Sequence, residues 1–279
     1  MNQASTLYKL NESVIGSFSK LKKIAITSGK GGVGKTNVVA NLGVALSKMN
    51  TRVAILDADY GLGNIDILLG IEPQLDISDL LKDTATLEDI LVSKDDLLII
   101  PASSGVQSLA HLSEYQEILL YKELKKLEKM VDILVIDTAA GISDNVISLL
   151  LAADEVVLVI STDSTSIVDS YAVVKVVSEL DTFKSFSVVT NMVRDEEEGA
   201  EVFLKFSRAV KKFLNKEVNY LGFITWDEKL VEAMRYQEAV VQKFPASSAG
   251  KNFTELAKVI KKRVEEMVPN PARKFRLDF

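Results

Sequence analysis

The stretch KIAITSGKGGVGKTN (23–37) restricts the fold more than any other part of the chain. A short β-branched run ends in a glycine-rich turn, and that turn opens directly into a helical pattern. Residues Gly29 to Thr36 fit G-x-x-x-x-G-K-[ST], the loop whose backbone N–H groups cradle a phosphate chain. Side chains at Gly29, Gly31, Gly32 and Gly34 would block close approach of an anion, and the helix N-terminus just beyond adds its dipole. In this loop, which runs on through Val33 and Asn37, Lys35 is expected to reach the β- and γ-phosphates. The Thr36 hydroxyl is expected to ligate Mg²⁺. A glycine-rich turn without a ligand is the plain alternative, and the flanking strand and helix weigh against it.

The same strand-then-helix rhythm continues along the chain. Nearly continuous apolar runs at 23–28, 52–57, 97–102, 132–137, 155–161, 186–191 and 219–224 read as strands covered on both faces. Helical patterns fill 35–49, 113–129, 144–152, 165–180, 196–214, 228–236 and 251–268. The expected fold is therefore α/β: a doubly wound, mostly parallel sheet of seven to eight strands with helices on both faces. Residues 21–268 are expected to form one domain, preceded by a flexible segment (1–20) and followed by a tail (269–279). With 47% hydrophobic residues the core needs no covalent staples, and the absence of cysteine excludes a disulfide framework or a thiolate-held cluster.

Ligands of such sheets bind at the carboxyl ends of the strands, where the other motifs lie. In ILDADYGLGNID, Asp57 and Asp59 are two residues apart and share one side of an extended segment. Asp57 is suited to the metal shell and Asp59 to positioning an attacking water; a loop of Asx turns is the alternative. VDILVIDTAAG places Asp137 after four apolar residues, a second metal-shell carboxylate, and Gly141 beyond it lets an amide approach the γ-phosphate. Asn191, ending VVTN, and Asp227 in ITWDE occupy positions suited to the base, although a strand-terminal asparagine also serves as a turn cap.

Lys30 is not explained by the phosphate loop alone. KGGVGKT with this additional lysine resembles the deviant Walker A box of the MinD/ParA ATPases. In that class two protomers enclose two ATP molecules and the signature lysine reaches the partner's nucleotide. The resemblance implies that Lys30, Lys35 and Asp59 are catalytic, that ATP and Mg²⁺ bind, and that the homodimer is ATP-dependent. LDADYGLGNIDILLG, PASSGVQSLAHLSEYQ, DTAAGISDNVISLLLAADEVVLV and LGFITWDEKLVEAMRYQEAV further resemble the flagellar-number subfamily, FlhG. Near the start, NQASTLY resembles the subfamily's D-Q-A-x-x-L-R motif. Gln3, Ala4 and Leu7 match it, whereas Asn2 and Tyr8 replace its two charged residues. This implies contact with an FlhF-like GTPase and, in the subfamily, with flagellar C-ring switch proteins or a flagellar transcriptional activator.

The expected location is the cytoplasm, with membrane association at the cell pole or flagellar base in the ATP state. A formal net charge of −6 argues against a DNA-coating role. The stripe Phe253, Leu256, Ala257, Ile260, Val264 and Met267 is read as packing on the sheet, and the tail RKFRLDF supports only weak lipid association. The lysines of YKELKKLEKM interleave with Glu123 and Glu128 and read as a solvated face, and the lone His111 cannot anchor a metal site. The competing functions are a MinD-like division-site regulator and a ParA-like DNA-segregation ATPase.

Overall fold

The computed structural model describes residues 21–59, 63–102 and 113–267. Its strands are β1 (Lys22–Thr27), β2 (Val53–Ala58), β3 (Val92–Lys94), β4 (Leu97–Ile100), β5 (Ile133–Thr138), β6 (Glu155–Ile160), β7 (Ser185–Val193) and β8 (Asn219–Thr225). They form one sheet in the order β3-β4-β2-β5-β1-β6-β7-β8, in which every pairing is parallel except β3 with β4. The helices are α1 (Lys35–Ser47), α2 (Ile65–Leu69), α3 (Ile77–Leu81), α4 (Leu87–Ile90), α5 (Glu114–Leu124), α6 (Asp144–Ala152), α7 (Ser164–Leu180), α8 (Glu196–Leu214), α9 (Glu228–Arg235), α10 (Val240–Lys243) and α11 (Ser248–Glu266).

The continuous apolar runs become central strands because both sheet faces are covered. Alternate residues supply two separate cores. Ile24, Ile26, Val53 and Ile55 pack with α1 and α11, while Ala25, Ala54, Leu56 and Ile136 pack with α6, α7 and α8. Burying a side chain such as Ile55 contributes about 2 kcal/mol relative to leaving it in water. The α11 stripe behaves as expected: Phe253, Leu256, Ala257, Ile260 and Val264 are buried against the sheet, and Met267 packs beside them. Arg263 pins this helix, its Nε lying 2.6 Å from both oxygens of the buried Glu155. In the 3₁₀ turn Lys125–Lys129 that follows α5, Lys126 pairs with Glu88 and Glu123; Glu123 departs from the expected solvated face, being buried and accepting from the Leu87 amide.

The sequence reading missed four short helices, α2, α3, α4 and α10, and two further details depart from it. A short hairpin adds β3, with Asp95 at φ +52° in its two-residue turn. The helix expected from 251 begins at Ser248, because the Ser247 side chain caps the Gly250 amide. Gln3, Ala4, Leu7, His111 and the 269–279 tail lie outside the described residues. Among the described residues, no helix is long and apolar enough to cross a membrane.

Candidate functional site

The loop between β1 and α1 takes its shape from two left-handed glycines, Gly32 at φ +81° and Gly34 at φ +82°. No atom lies within 4 Å of a Cβ built on Gly31, Gly32 or Gly141, so these backbones face open space. Gly29 and Gly34 are needed for packing instead. A Cβ on Gly29 would lie 2.1 Å from the Asp169 backbone of α7, and one on Gly34 would lie 2.4 Å from Asn191 Nδ2. That Asn191 amide donates to the Val33 carbonyl at 2.8 Å, fastening the loop to the end of β7, while the Val33 side chain is buried. Gly34→Ala is therefore expected to cost about 2 to 5 kcal/mol, from left-handed backbone strain and overpacking together. A denaturation midpoint equal to that of the parent would contradict this.

Under the loop, β2 and β5 bring two carboxylates side by side, Asp57 in register with Asp137. Both are buried, and Lys35 Nζ lies 2.5 Å from Asp137 Oδ1. The Thr36 hydroxyl and the Asp59 carboxylate stand near the Asp137 carboxylate. Asp57 accepts from the Asp59 amide at 3.2 Å and the Ile65 amide at 3.3 Å. Burial, reinforced by neighbouring Asp137, pushes the Asp57 carboxyl up to about 7 against those two amides. Burial also raises Asp137 above the usual carboxylate range, with Lys35 opposing it. Lys35, Thr36, Asp57, Asp59 and Asp137 thus converge from three elements, as their motifs imply.

Lys30 stands apart from this cluster. Its Nζ reaches the N-cap of α7, 2.6 Å from Asp163 Oδ2 and 2.8 Å from Thr165 Oγ1, and its side chain is 44% exposed. Asp163 also accepts from the Thr165 amide at 2.9 Å. The Lys30 ammonium, with that cap, holds the Asp163 carboxyl down to about 2. Sequence reading missed Asp163 and Thr165. The string STDSTS carried an N-cap signal, but nothing in it indicated a lysine more than a hundred residues upstream. Gly141 is drawn to the same region, its amide donating to the Ser28 carbonyl at 2.9 Å.

On the β7–β8 side, Asn191 Oδ1 is buried without a hydrogen-bond partner, while Asn37 Nδ2 donates to Met234 Sδ at 3.3 Å. Asp227 is placed differently from Asn191. It caps α9, Oδ1 accepting from the Lys229 amide at 2.8 Å and Oδ2 from the Ala249 amide at 2.9 Å. Both its oxygens are therefore engaged by its own chain.

The site fits a magnesium nucleotide on its own geometry. Asp137 Oδ2 is buried and unpartnered, and the glycine backbones leave a cradle that side chains would fill. Among the described residues no cluster of three or more His, Cys, Asp and Glu side chains forms a ready metal cage. A hydroxyl and one or two carboxylates that leave the remaining ligands to water and phosphate suit Mg²⁺. A doubly wound sheet with this loop at its carboxyl edge defines a P-loop NTPase.

The family model for ParA, described as an NUBPL iron-transfer P-loop NTPase, matches residues 20–261. The antiactivator FleN of Pseudomonas aeruginosa is 40% identical over 247 residues, covering 88% of each chain. The flagellum site-determining protein YlxH of Helicobacter pylori is 31% identical over 95% of this chain and 92% of its own. In three dimensions, the septum site-determining protein MinD of Pyrococcus horikoshii, complexed with Mg-ADP, superposes with a TM-score of 0.74. It is 25% identical, covering 87% of this chain and 97% of that one. This chain belongs to the ParA family of P-loop NTPases, and its activity is ATP hydrolysis.

Proposed function

We propose that this protein is an ATP-dependent dimerisation switch that sets flagellar number and placement. The observation that carries the reading is the contrast between its two lysines. Lys35 is buried on Asp137, inside its own site, whereas Lys30 lies at the exposed rim, held by α7. A cation at the rim can be offered to a facing protomer. Likeness to FleN and YlxH over most of the chain supports the flagellar assignment.

The loop amides from Gly31 to Thr36 receive the phosphates, and Lys35 exchanges Asp137 for the γ-phosphate as ATP enters. Thr36, Asp57 and Asp137 would hold Mg²⁺, which when bound neutralises charge on the β- and γ-oxygens. Asp59, on the chain just past β2, orients the attacking water. Asn191 Oδ1 is an acceptor suited to the adenine amino group; for Asp227 the caps it makes favour a supporting role in shaping the base side. Lys30 leaves Asp163 and Thr165 for the partner's nucleotide, so turnover follows dimer closure and hydrolysis releases the pair. The division-site alternative calls for a lipid-binding apolar face on a C-terminal helix, and among the described residues the α11 face is spent on the sheet. Weak membrane association then rests on the tail, at the cell pole or flagellar base.

The partners follow from the flagellar reading: an FlhF-like GTPase contacted through Gln3, Ala4 and Leu7, and C-ring switch proteins or a flagellar transcriptional activator. The test is GTP hydrolysis by a purified FlhF-type GTPase with and without this protein. Stimulation that is lost on deleting residues 1–10 is expected. A GTP turnover indifferent to the intact protein would contradict the partner assignment while leaving the ATPase switch in place.

A further inference from the structure

The carboxyl end of the β7–β8 pair presents an aromatic side chain that the phosphate chemistry leaves unused. Trp226, the chain's one tryptophan, is the first residue beyond β8 and is 60% exposed. Its backbone, by contrast, is held from several directions. The Trp226 amide donates to the Val193 carbonyl at 2.8 Å. Just before it, the Thr225 amide and hydroxyl both donate to Asn252 Oδ1 on α11, at 3.1 and 2.9 Å. Just after it, Asp227 is engaged by the Lys229 and Ala249 amides. A large indole on a fixed backbone loses little entropy when a ligand covers it.

Met192, on the neighbouring strand, is turned out by a break in the ladder. Asn191 pairs with Ile224 and Val193 with Thr225, so Met192 has no partner on β8, and it takes φ +60°. Such a bulge re-aims a side chain, and a left-handed residue other than glycine persists only where its surroundings hold it. Met192 is 42% exposed, and its Cε lies 3.1 Å from a Cβ built on Gly34, at the end of the phosphate loop. Asn191 meets the same glycine, and its buried Oδ1 has no hydrogen-bond partner. Met234 of α9 is drawn to this side as well, its sulfur accepting from Asn37 on α1. Apolar surface for the faces of a flat ring and one unmet acceptor for its edge are the parts of a base pocket.

We infer that Trp226 stacks on the purine ring of the bound nucleotide, with the Met192 thioether closing the other side. The inference rests on the reading that Asn191 receives the base, and it adds the residue that sets affinity for the ring. The phosphate loop holds one end of the nucleotide, Asn191 reads the edge of the base, and Trp226 covers its face. Such a clamp favours a purine over a pyrimidine, because the larger ring covers more of the indole.

With one tryptophan in the chain, intrinsic fluorescence reports on this residue alone. The full chain with Mg²⁺ is titrated with ADP, UDP and inorganic tripolyphosphate; ADP in place of ATP keeps dimer closure out of the signal. ADP should quench the emission, UDP should bind more weakly and quench less, and tripolyphosphate should displace ADP without quenching. Trp226→Ala should weaken ADP by about tenfold. Its calorimetric affinity for tripolyphosphate should stay that of the parent, a split that a structural defect would not give. Trp226→Phe should recover most of the loss. Met192→Gly, which suits the left-handed backbone, should weaken ADP relative to tripolyphosphate as well. Equal quenching by ADP and tripolyphosphate would overturn the stacking. So would an ADP affinity that Trp226→Ala leaves unchanged while Asn191→Ala lowers it relative to tripolyphosphate, and the base would then remain at Asn191. Indifference of ADP to both substitutions would place the base elsewhere, and both readings would fall.

Discussion

Lys35→Ala is expected to reduce ATP hydrolysis by at least about a hundredfold and to destabilise the fold in the same step. The loss of activity follows from removing the loop's own cation from phosphates that the glycine backbone otherwise positions alone. The loss of stability has a different origin. Lys35 Nζ is 2.5 Å from Asp137 Oδ1, with side-chain exposures of 8% and 0%. Truncating one partner of a buried pair leaves a charge without compensation, at a cost of about 3 kcal/mol near neutral pH. Asp137 limits that cost by taking up a proton, so the penalty should shrink as the pH falls. Urea unfolding of parent and variant at two pH values measures this, and a pH-independent difference would contradict the pairing.

The second large effect concerns Asp57, and its sign follows from linkage. The carboxyl is raised to about 7 in the folded protein by burial and by Asp137. Unfolded, it titrates near about 3.9. Between those values the folded state holds more protons, so stability present at low pH is lost as pH rises toward 7. At about 1.4 kcal/mol per pH unit, the span corresponds to about 4 kcal/mol. Asp137, Lys35 and the Ile65 and Asp59 amides face this group, and Asp137 contributes in the same direction. In metal- and nucleotide-free protein, Asp57→Asn should flatten the fall in stability across this window. A slope as steep as the parent's would locate the titration elsewhere.

Much of this site was legible because its pieces are local in sequence. Gly29 to Asn37 declares a phosphate loop by spacing, and the carboxylates end apolar runs whose strands are buried on both faces. Parallel pairing then puts Asp57 beside Asp137, a register that the β2–β5 ladder supplies. The two cores and the packed α11 stripe were equally readable from periodicity. Long-range partnerships were not. Asp163 and Thr165 read as an ordinary cap, and only the fold brings Lys30 to them. Asn191 was expected at the base, and its donor proves to be fastened to the Val33 carbonyl. Asp227 was expected there too, yet both its oxygens close backbone caps. The β3 hairpin escaped notice because three half-exposed residues carry too weak a pattern, although Asp95–Asp96 between apolar runs was a turn signal.

The switch stands or falls on what ATP does to mass. The decisive measurement is the molecular mass in solution of the parent, Lys30→Ala and Asp59→Ala with Mg-ATP, alongside their nucleotide affinity. The account predicts a dimer for the parent, a dimer that persists in Asp59→Ala because hydrolysis is blocked, and a monomer that still binds ATP in Lys30→Ala. A Lys30→Ala protein that dimerises and turns over ATP like the parent would contradict the role of the rim lysine, and with it the switch.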